Sequence, residues 1–266
     1  MANRKGGEAA AMVSLSNLSN GIDSEMRRTR LIAMDLDGTL TQHKSPLPDE
    51  TRDMLERLAR SYRLLMVGAG SCRRIFNQMD RFPIDIVGNY GLQHARYDAA
   101  AQDLAFVLDE ALPCDRYGVL ARANAFRAKH DLKDFAGESV EFHDSGVVTF
   151  AILGTKARQE DKLAYDPDRR KRRAMYDEVV ALFPEYNVFV GGSSSFDMAP
   201  KPYDKAYALS RICEEEGLDK DEVLYVGDDY GPGGNDEAVL AVGFPFLKID
   251  DYRTTPAKLA ERLAAE

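Results

Sequence analysis

Asp35-Leu36-Asp37-Gly38-Thr39 places two carboxylates one residue apart, directly after an apolar run (Leu31 to Met34) that reads as a buried strand. A carboxylate released at a strand end can attack phosphorus in line, and a second one beside it can handle the leaving group's proton. Asp35 is therefore the candidate nucleophile, forming an aspartyl-phosphate, and Asp37 the candidate acid/base. A second acidic run, Gly227-Asp228-Asp229-Tyr230-Gly231-Pro232-Gly233-Gly234-Asn235-Asp236, follows another apolar run, Val223 to Val226. Mg2+ takes octahedral oxygen ligands and keeps several waters. Asp35, the Asp37 backbone carbonyl and Asp228 would suffice to hold it, with Asn235 and Asp236 as further metal-site oxygens. The cation would neutralise a substrate phosphate beside two carboxylates.

Lys205 opens a helix after a Pro-rich stretch, and near Asp35 its ammonium would offset carboxylate and phosphate repulsion. Gly68-Ala69-Gly70-Ser71 ends a third apolar run and starts a helix. It reads either as a phosphate cradle, with Gly70 and Ser71 touching substrate, or as a tight turn capped by Ser71. The basic run Arg169-Arg170-Lys171-Arg172-Arg173 could attract an anionic substrate, but it reads better as a solvated helical face. The histidines at 43, 94, 130 and 143 lack metal-ligand spacing.

These motifs need strand ends to hold them. Strand Leu31–Met34, a helix from Asp49, strand Leu64–Val67, a helix carrying Ile75, Phe76 and Met79, and strand Ile84–Val87 alternate as right-handed parallel crossovers do. From about residue 92 the pattern becomes alternating segments (Gln93–Tyr97, Leu104–Leu108, Val140–His143, Val147–Leu153, Asn187–Val190), interrupted by helical stretches Asp115–His130 and Pro167–Phe183. After Ser195 the strand–helix alternation returns. The expected fold class is α/β: a doubly wound parallel core, 30–91 and 195–266, with an inserted α+β unit, 92–194, as a lid. Residues 1–29 read as a disordered extension.

The chain has 266 residues, a net charge of −9 and a pI near 5.1. That balance argues against a nucleic-acid partner, which requires a basic surface. No apolar stretch approaches membrane-spanning length. Three scattered cysteines without CxxC spacing give neither a disulfide framework nor a zinc signature. The expected setting is cytoplasmic.

In this order, Asp-x-Asp-Gly-Thr, a small-residue loop, a Lys and Gly-Asp…Asn-Asp, the motifs resemble the haloacid dehalogenase (HAD) superfamily of phosphotransferases. Gly88-Asn89-Tyr90-Gly91-Leu92, Gly191-Gly192-Ser193-Ser194-Ser195-Phe196-Asp197, Asp204-Lys205 and Pro232-Gly233-Gly234-Asn235-Asp236 are similar to eukaryotic-type phosphomannomutases in particular. The resemblance implies a Rossmann-like core with a mobile cap and Mg2+ as cofactor. It implies Asp35 as nucleophile, Asp37 as acid/base, Lys205 as stabilising cation and Asp228 as metal ligand. Ser195 and Asp197 would touch the sugar, and the cap would mediate a homodimer. The mutases hold the distal phosphate of a hexose bisphosphate with cap arginines. Ala136, His143 and Thr155 stand at the corresponding places here, and Arg116, Arg122, Arg127, Lys156 and Arg158 are nearby alternatives.

The leading expectation is a Mg2+-dependent phosphohydrolase acting on a small phosphorylated metabolite, a sugar phosphate. The first alternative is a phosphomannomutase or phosphoglucomutase interconverting hexose 1- and 6-phosphates. The second is a non-catalytic binding protein of the same fold.

Overall fold

Strand β1 (Leu31–Met34) is buried at every position and lies between two other strands, as a continuous apolar run requires. The computed structural model describes residues 29–265, so the expected extension, Thr29 apart, lies outside the described residues. From β1 the chain passes through α1 (Asp49–Leu58) to β2 (Arg63–Val67), then through α2 (Cys72–Gln78) to β3 (Asp85–Gly88). It re-enters this sheet late in the sequence, through α6 (Lys205–Glu216), β10 (Val223–Gly227), α7 (Glu237–Ala241), β11 (Phe246–Lys248) and α8 (Thr255–Ala264). These five strands are parallel, in the order β11-β10-β1-β2-β3. Ile32, Met34, Leu64 and Met66 pack on one face with Leu55, Phe76 and Leu259 from α1, α2 and α8. Leu31, Ala33, Leu65 and Val67 pack on the other with Leu209, Ile212 and Val239 from α6 and α7. Helices cover both faces, so the core is doubly wound.

The inserted unit is an antiparallel sheet of order β6-β7-β9-β8, made of β6 (Val140–Phe142), β7 (Val148–Ala151), β8 (Tyr186–Phe189) and β9 (Ser195–Pro200). Helices α3 (Arg116–Lys129) and α5 (Arg170–Leu182) cover it through Phe126 and Val179, joined by Phe183 just past the end of α5, and these pack on Phe150 and Phe196. A further helix, α4 (Gln159–Tyr165), precedes α5.

Two strand assignments differ from expectation. Segments β4 (Gln93–Asp98) and β5 (Asp103–Asp109) were expected in the insert, but they extend the core sheet antiparallel beyond β3. Asn89 and Tyr90, at φ of 49° and 59°, turn the chain back immediately after β3, so β4 pairs with the strand it has just left. Conversely, β9 lies past the expected boundary at 195, yet it pairs with both β7 and β8. The insert therefore runs from the end of β5 to the start of α6. The expected helix from Pro167 begins only at Arg170, because Arg169 sits in the left-handed region at φ 60°.

Candidate active site

Parallel pairing of β1 with β10, with Met34 opposite Val226, puts the two acidic loops side by side. The Asp35 N–H donates to the Val226 carbonyl at 3.0 Å, which carries this contact one residue beyond the strand. Gly38, at φ 95°, completes the approach: a Cβ there would lie 2.5 Å from Asp228 Oδ2. Only glycine admits that backbone conformation and proximity together.

Oxygens of Asp35, Asp228 and Asp236 lie within 4.8 Å of one another, the one such cluster among the described residues. Lys205, fully buried at the first turn of α6, reaches into it. Its Nζ lies 2.9 Å from Asp35 Oδ1 and 2.7 Å from Asp236 Oδ1, and it donates to Asn235 Oδ1 at 2.8 Å. Burial would strip Lys205 of its charge, but Asp236 and Asp35 outweigh that and push its pKa up. Asp236 Oδ1 also accepts from the Tyr225 hydroxyl at 2.6 Å, and its Oδ2 accepts from the Asp229 N–H at 3.0 Å. Both Asp236 oxygens are thus engaged by the protein, which suits Asp236 to orienting Lys205 and the loop.

One ammonium does not balance this much negative charge. Burial, aided by Asp35, Asp236 and Asp229, pushes the Asp228 carboxyl up to about 8. Burial likewise pushes Asp35 up to about 6 against the pull of Lys205. Crowded, desolvated carboxylates with oxygen-only donors fit a hard dication such as Mg2+. Thr39 Oγ1 donates to Asp228 Oδ1 at 2.9 Å and leaves Oδ2 facing Gly38.

Asp37 stands apart from the three clustered carboxylates. Its Oδ1 accepts from Gln78 Nε2 and the Lys44 N–H, both at 2.7 Å, and its Oδ2 lies 3.4 Å from Arg74 Nη1. Burial favours the neutral acid, but these donors outweigh it and hold the carboxyl below its usual range. Ser71 caps α2 by accepting the Arg74 N–H at 3.3 Å, which is the tight-turn arrangement. The Gly70 carbonyl accepts from the Asn89 N–H at 2.8 Å, and the Arg74 guanidinium lies over Gly70 where a side chain would otherwise stand.

A cavity of about 810 Å³ separates the two sheets, with Asp35, Asp37, Gly70, Ser71, Asp228 and Asn235 on the core side. Ser195 and Asp197, projecting from β9, line the insert side with Glu141, His143 and Thr149. Asp197 Oδ1 accepts from Thr149 Oγ1 at 3.2 Å and Ser195 Oγ at 3.4 Å, and His143 Nε2 lies 3.1 Å from Thr149 Oγ1. Burial raises Asp197 above the usual carboxylate range despite these donors.

The nearby arginines are committed elsewhere. Arg127 is buried and donates to Ser139 Oγ and the Ile152 carbonyl, and Arg122 holds Glu185 and the Leu182 carbonyl. Neither they nor Arg116, Lys156 and Arg158 line the cavity. The basic run is the solvated face its composition suggested only at Arg170 and Lys171, which are exposed. Arg172 is fully buried against Asp166 at 2.9 Å, and Arg169 pairs with Asp229 of the core. Thr39, Tyr225 and Arg169 were missed as site residues. Thr39 lay inside the first motif and Arg169 inside the basic run, whereas nothing local marked Tyr225.

The family model for eukaryotic phosphomannomutase matches residues 51–243, more than half of the chain. The chain belongs to that family. Similarity to individual phosphomannomutases agrees: 27% identity to that of Saccharomyces cerevisiae over 221 residues, covering 79% of this chain and 84% of the relative. The Schizosaccharomyces pombe phosphomannomutase is 26% identical over 238 residues, covering 83% and 90%. Among solved structures, a HAD-superfamily phosphatase from Bacteroides thetaiotaomicron matches with a TM-score of 0.59 at 15% identity, covering 93% of this chain and all of that one. Plasmodium falciparum IMP-nucleotidase gives 0.61 at 15% identity, covering 91% and 72%. At these identities the structural likeness speaks for the HAD fold, a Rossmann-like α/β core with a cap. The chain is thus an enzyme of the phosphomannomutase family with the HAD fold. Among its described residues, no helix is long and apolar enough to cross a membrane.

Proposed function

We propose that this phosphomannomutase-family enzyme interconverts hexose 1- and 6-phosphates, with an aspartyl-phosphate on Asp35 as the intermediate. The observation that carries the reading is the 810 Å³ cavity that sets the Asp35 loop opposite the Ser195 and Asp197 wall of the cap. That volume accommodates a phosphorylated hexose between two fixed walls. A phosphoryl group on Asp35 can there meet a sugar hydroxyl held in place, so positioning supplies much of the rate. The family relationship favours this reading over simple hydrolysis.

Asp35 attacks phosphorus, and Lys205 offsets the charge that gathers on its carboxylate. Asp37, whose Oδ1 is already committed to Gln78 and Lys44, exchanges a proton with the sugar oxygen through Oδ2. Ser195 and Asp197 hold sugar hydroxyls on the cap side. Mg2+, held by Asp35 and Asp228 with Asn235 and Asp236 behind them, would neutralise the transferring phosphoryl group.

One observation favours a second reading, a phosphohydrolase that releases phosphate from a sugar monophosphate. The strands and turn of the cap that face the cavity present Glu141, His143, Asp144 and Thr149. The cap cation in the lining, Arg169, is already paired with Asp229. A second phosphate dianion is held best by guanidinium groups free to bind it. The two readings separate on incubation with Mg2+, mannose 1-phosphate and glucose 1,6-bisphosphate. Stoichiometric mannose 6-phosphate without free phosphate is expected; release of free phosphate in place of isomerisation would transfer the assignment to the hydrolase.

A further inference from the structure

We infer that Arg169 is a positioning residue that ties the cap to the metal-site loop, so that Asp228 and Asp236 are held in place by the cap as well as by the core. The inference rests on the reading of Asp228 as a metal-holding residue. Arg169 stands between α4 and α5 on the cap and crosses to Asp229, the immediate neighbour of Asp228. The pair is well shielded, with side-chain exposures of 19% and 7%. Arg173, one turn further along α5, reaches the same loop. Its Nη2 lies 3.8 Å from Asp229 Oδ1, and its Nε donates to the Pro232 carbonyl at 3.2 Å.

The loop is shaped to receive these contacts. The Val190 N–H of the cap donates to the Gly233 carbonyl at 2.8 Å. A Cβ on Gly233, at φ 74°, would lie 2.9 Å from the Tyr176 ring of α5. On its other side, the Asp229 N–H and carbonyl are bonded to Asp236 Oδ2 and the Asp236 N–H, each at 3.0 Å. A continuous chain of contacts therefore runs from the cap helix through Asp229 to Asp236 and Lys205. Arg169 itself adopts φ 60°, a left-handed conformation that non-glycine residues take uncommonly, and the ion pair uses the side chain this presents.

Charge and position make opposite demands, which supplies the test. A guanidinium that merely repelled the cation would, on removal, let Mg2+ bind more tightly. A positioning guanidinium would, on removal, weaken Mg2+ by loosening its ligands. Arg169→Gly suits the left-handed backbone and removes the side chain without adding strain. Hydrogen exchange of amides 228–236 in the metal-free full-length protein should accelerate about tenfold in Arg169→Gly. Asp229→Asn should match it, and the double variant should go no further. Calorimetry with Mg2+ alone should show about tenfold weaker binding in Arg169→Gly, partial recovery in Arg169→Lys and no change in Arg170→Ala, whose side chain is 87% exposed. Unchanged exchange, or tighter Mg2+ binding, overturns the inference. Faster exchange in a protein that binds no Mg2+ even as wild type would refute the metal reading and uphold the latch.

Discussion

Thr39 donates its hydroxyl to Asp228 Oδ1 at 2.9 Å across 189 positions of sequence, and its carbonyl accepts from Thr255 Oγ1 at 2.6 Å. This fully buried residue thereby joins the Asp35–Asp37 loop, the Asp228 loop and the start of α8. Thr39→Val keeps the shape and removes the donor, so Asp228 loses one hydrogen bond worth about 1 kcal/mol. Half-saturating Mg2+ should rise about fivefold, measured by activity across a Mg2+ titration. Asp228 also carries a pH signature. Its folded pKa of about 8 stands above the value of 3.8 expected when unfolded, so protonation favours the folded state. That contribution is complete below pH 3.8 and is lost as pH rises through about 8. In chelator, Asp228→Asn should melt above the wild type at pH 8, with the gap closing toward pH 4; a constant gap would contradict the charge crowding. At this scale Asp35, Asp37 and Asp228 were legible because each lies in a local motif behind an apolar strand. Tyr225 was not, since its hydroxyl matters only through a partner eleven residues away that folding returns to it.

Helix α5 shows how a basic run can be structural. Arg172 Nε bonds Asp166 Oδ2 at 2.9 Å, and Nη1 donates to the Ser195 carbonyl at 2.9 Å, so the helix start is fastened to the strand that carries Ser195 and Asp197. Arg172→Met leaves Asp166 buried without its partner and should cost about 3–5 kcal/mol, read by chemical denaturation. A loss below 1 kcal/mol would mean that Asp166 finds solvent. Five consecutive cations read as solvated because helical periodicity alone does not reveal which carbonyls they will meet. The same limit applies to strands. Alternation identified β4, β5 and the cap strands alike, yet an antiparallel strand's own pattern does not record which sheet it joins. The left-handed Asn89–Tyr90 turn decided that for β4, and pairing on both sides decided it for β9. The five parallel strands were legible because each is a short run of mostly apolar residues, and all but β3 lead into a helix of the core.

Across the whole molecule, two cores meet at a small apolar seam. Tyr90 of the core stacks on Phe189 of the cap, centroids 4.6 Å apart, with Leu92, Val147 and Ala199 around them. This seam and the Arg169–Asp229 pair bound the cavity on the two domains' facing sides. A ligand that binds only the folded state adds RT ln(1 + [L]/Kd), so Mg2+ at a hundredfold over Kd should add about 2.7 kcal/mol. Asp228→Asn should lose most of that gain, and an equal gain in both proteins would place the cation elsewhere. The account depends above all on Asp35 capturing the phosphoryl group. Wild-type protein turning over glucose 1,6-bisphosphate with Mg2+ can be acid-quenched, reduced with borohydride and peptide-mapped, which converts an aspartyl-phosphate to homoserine. Conversion at Asp35, absent from Asp35→Asn, is the predicted result. Turnover with Asp35 left unmodified, or with the label on another carboxylate, would contradict it.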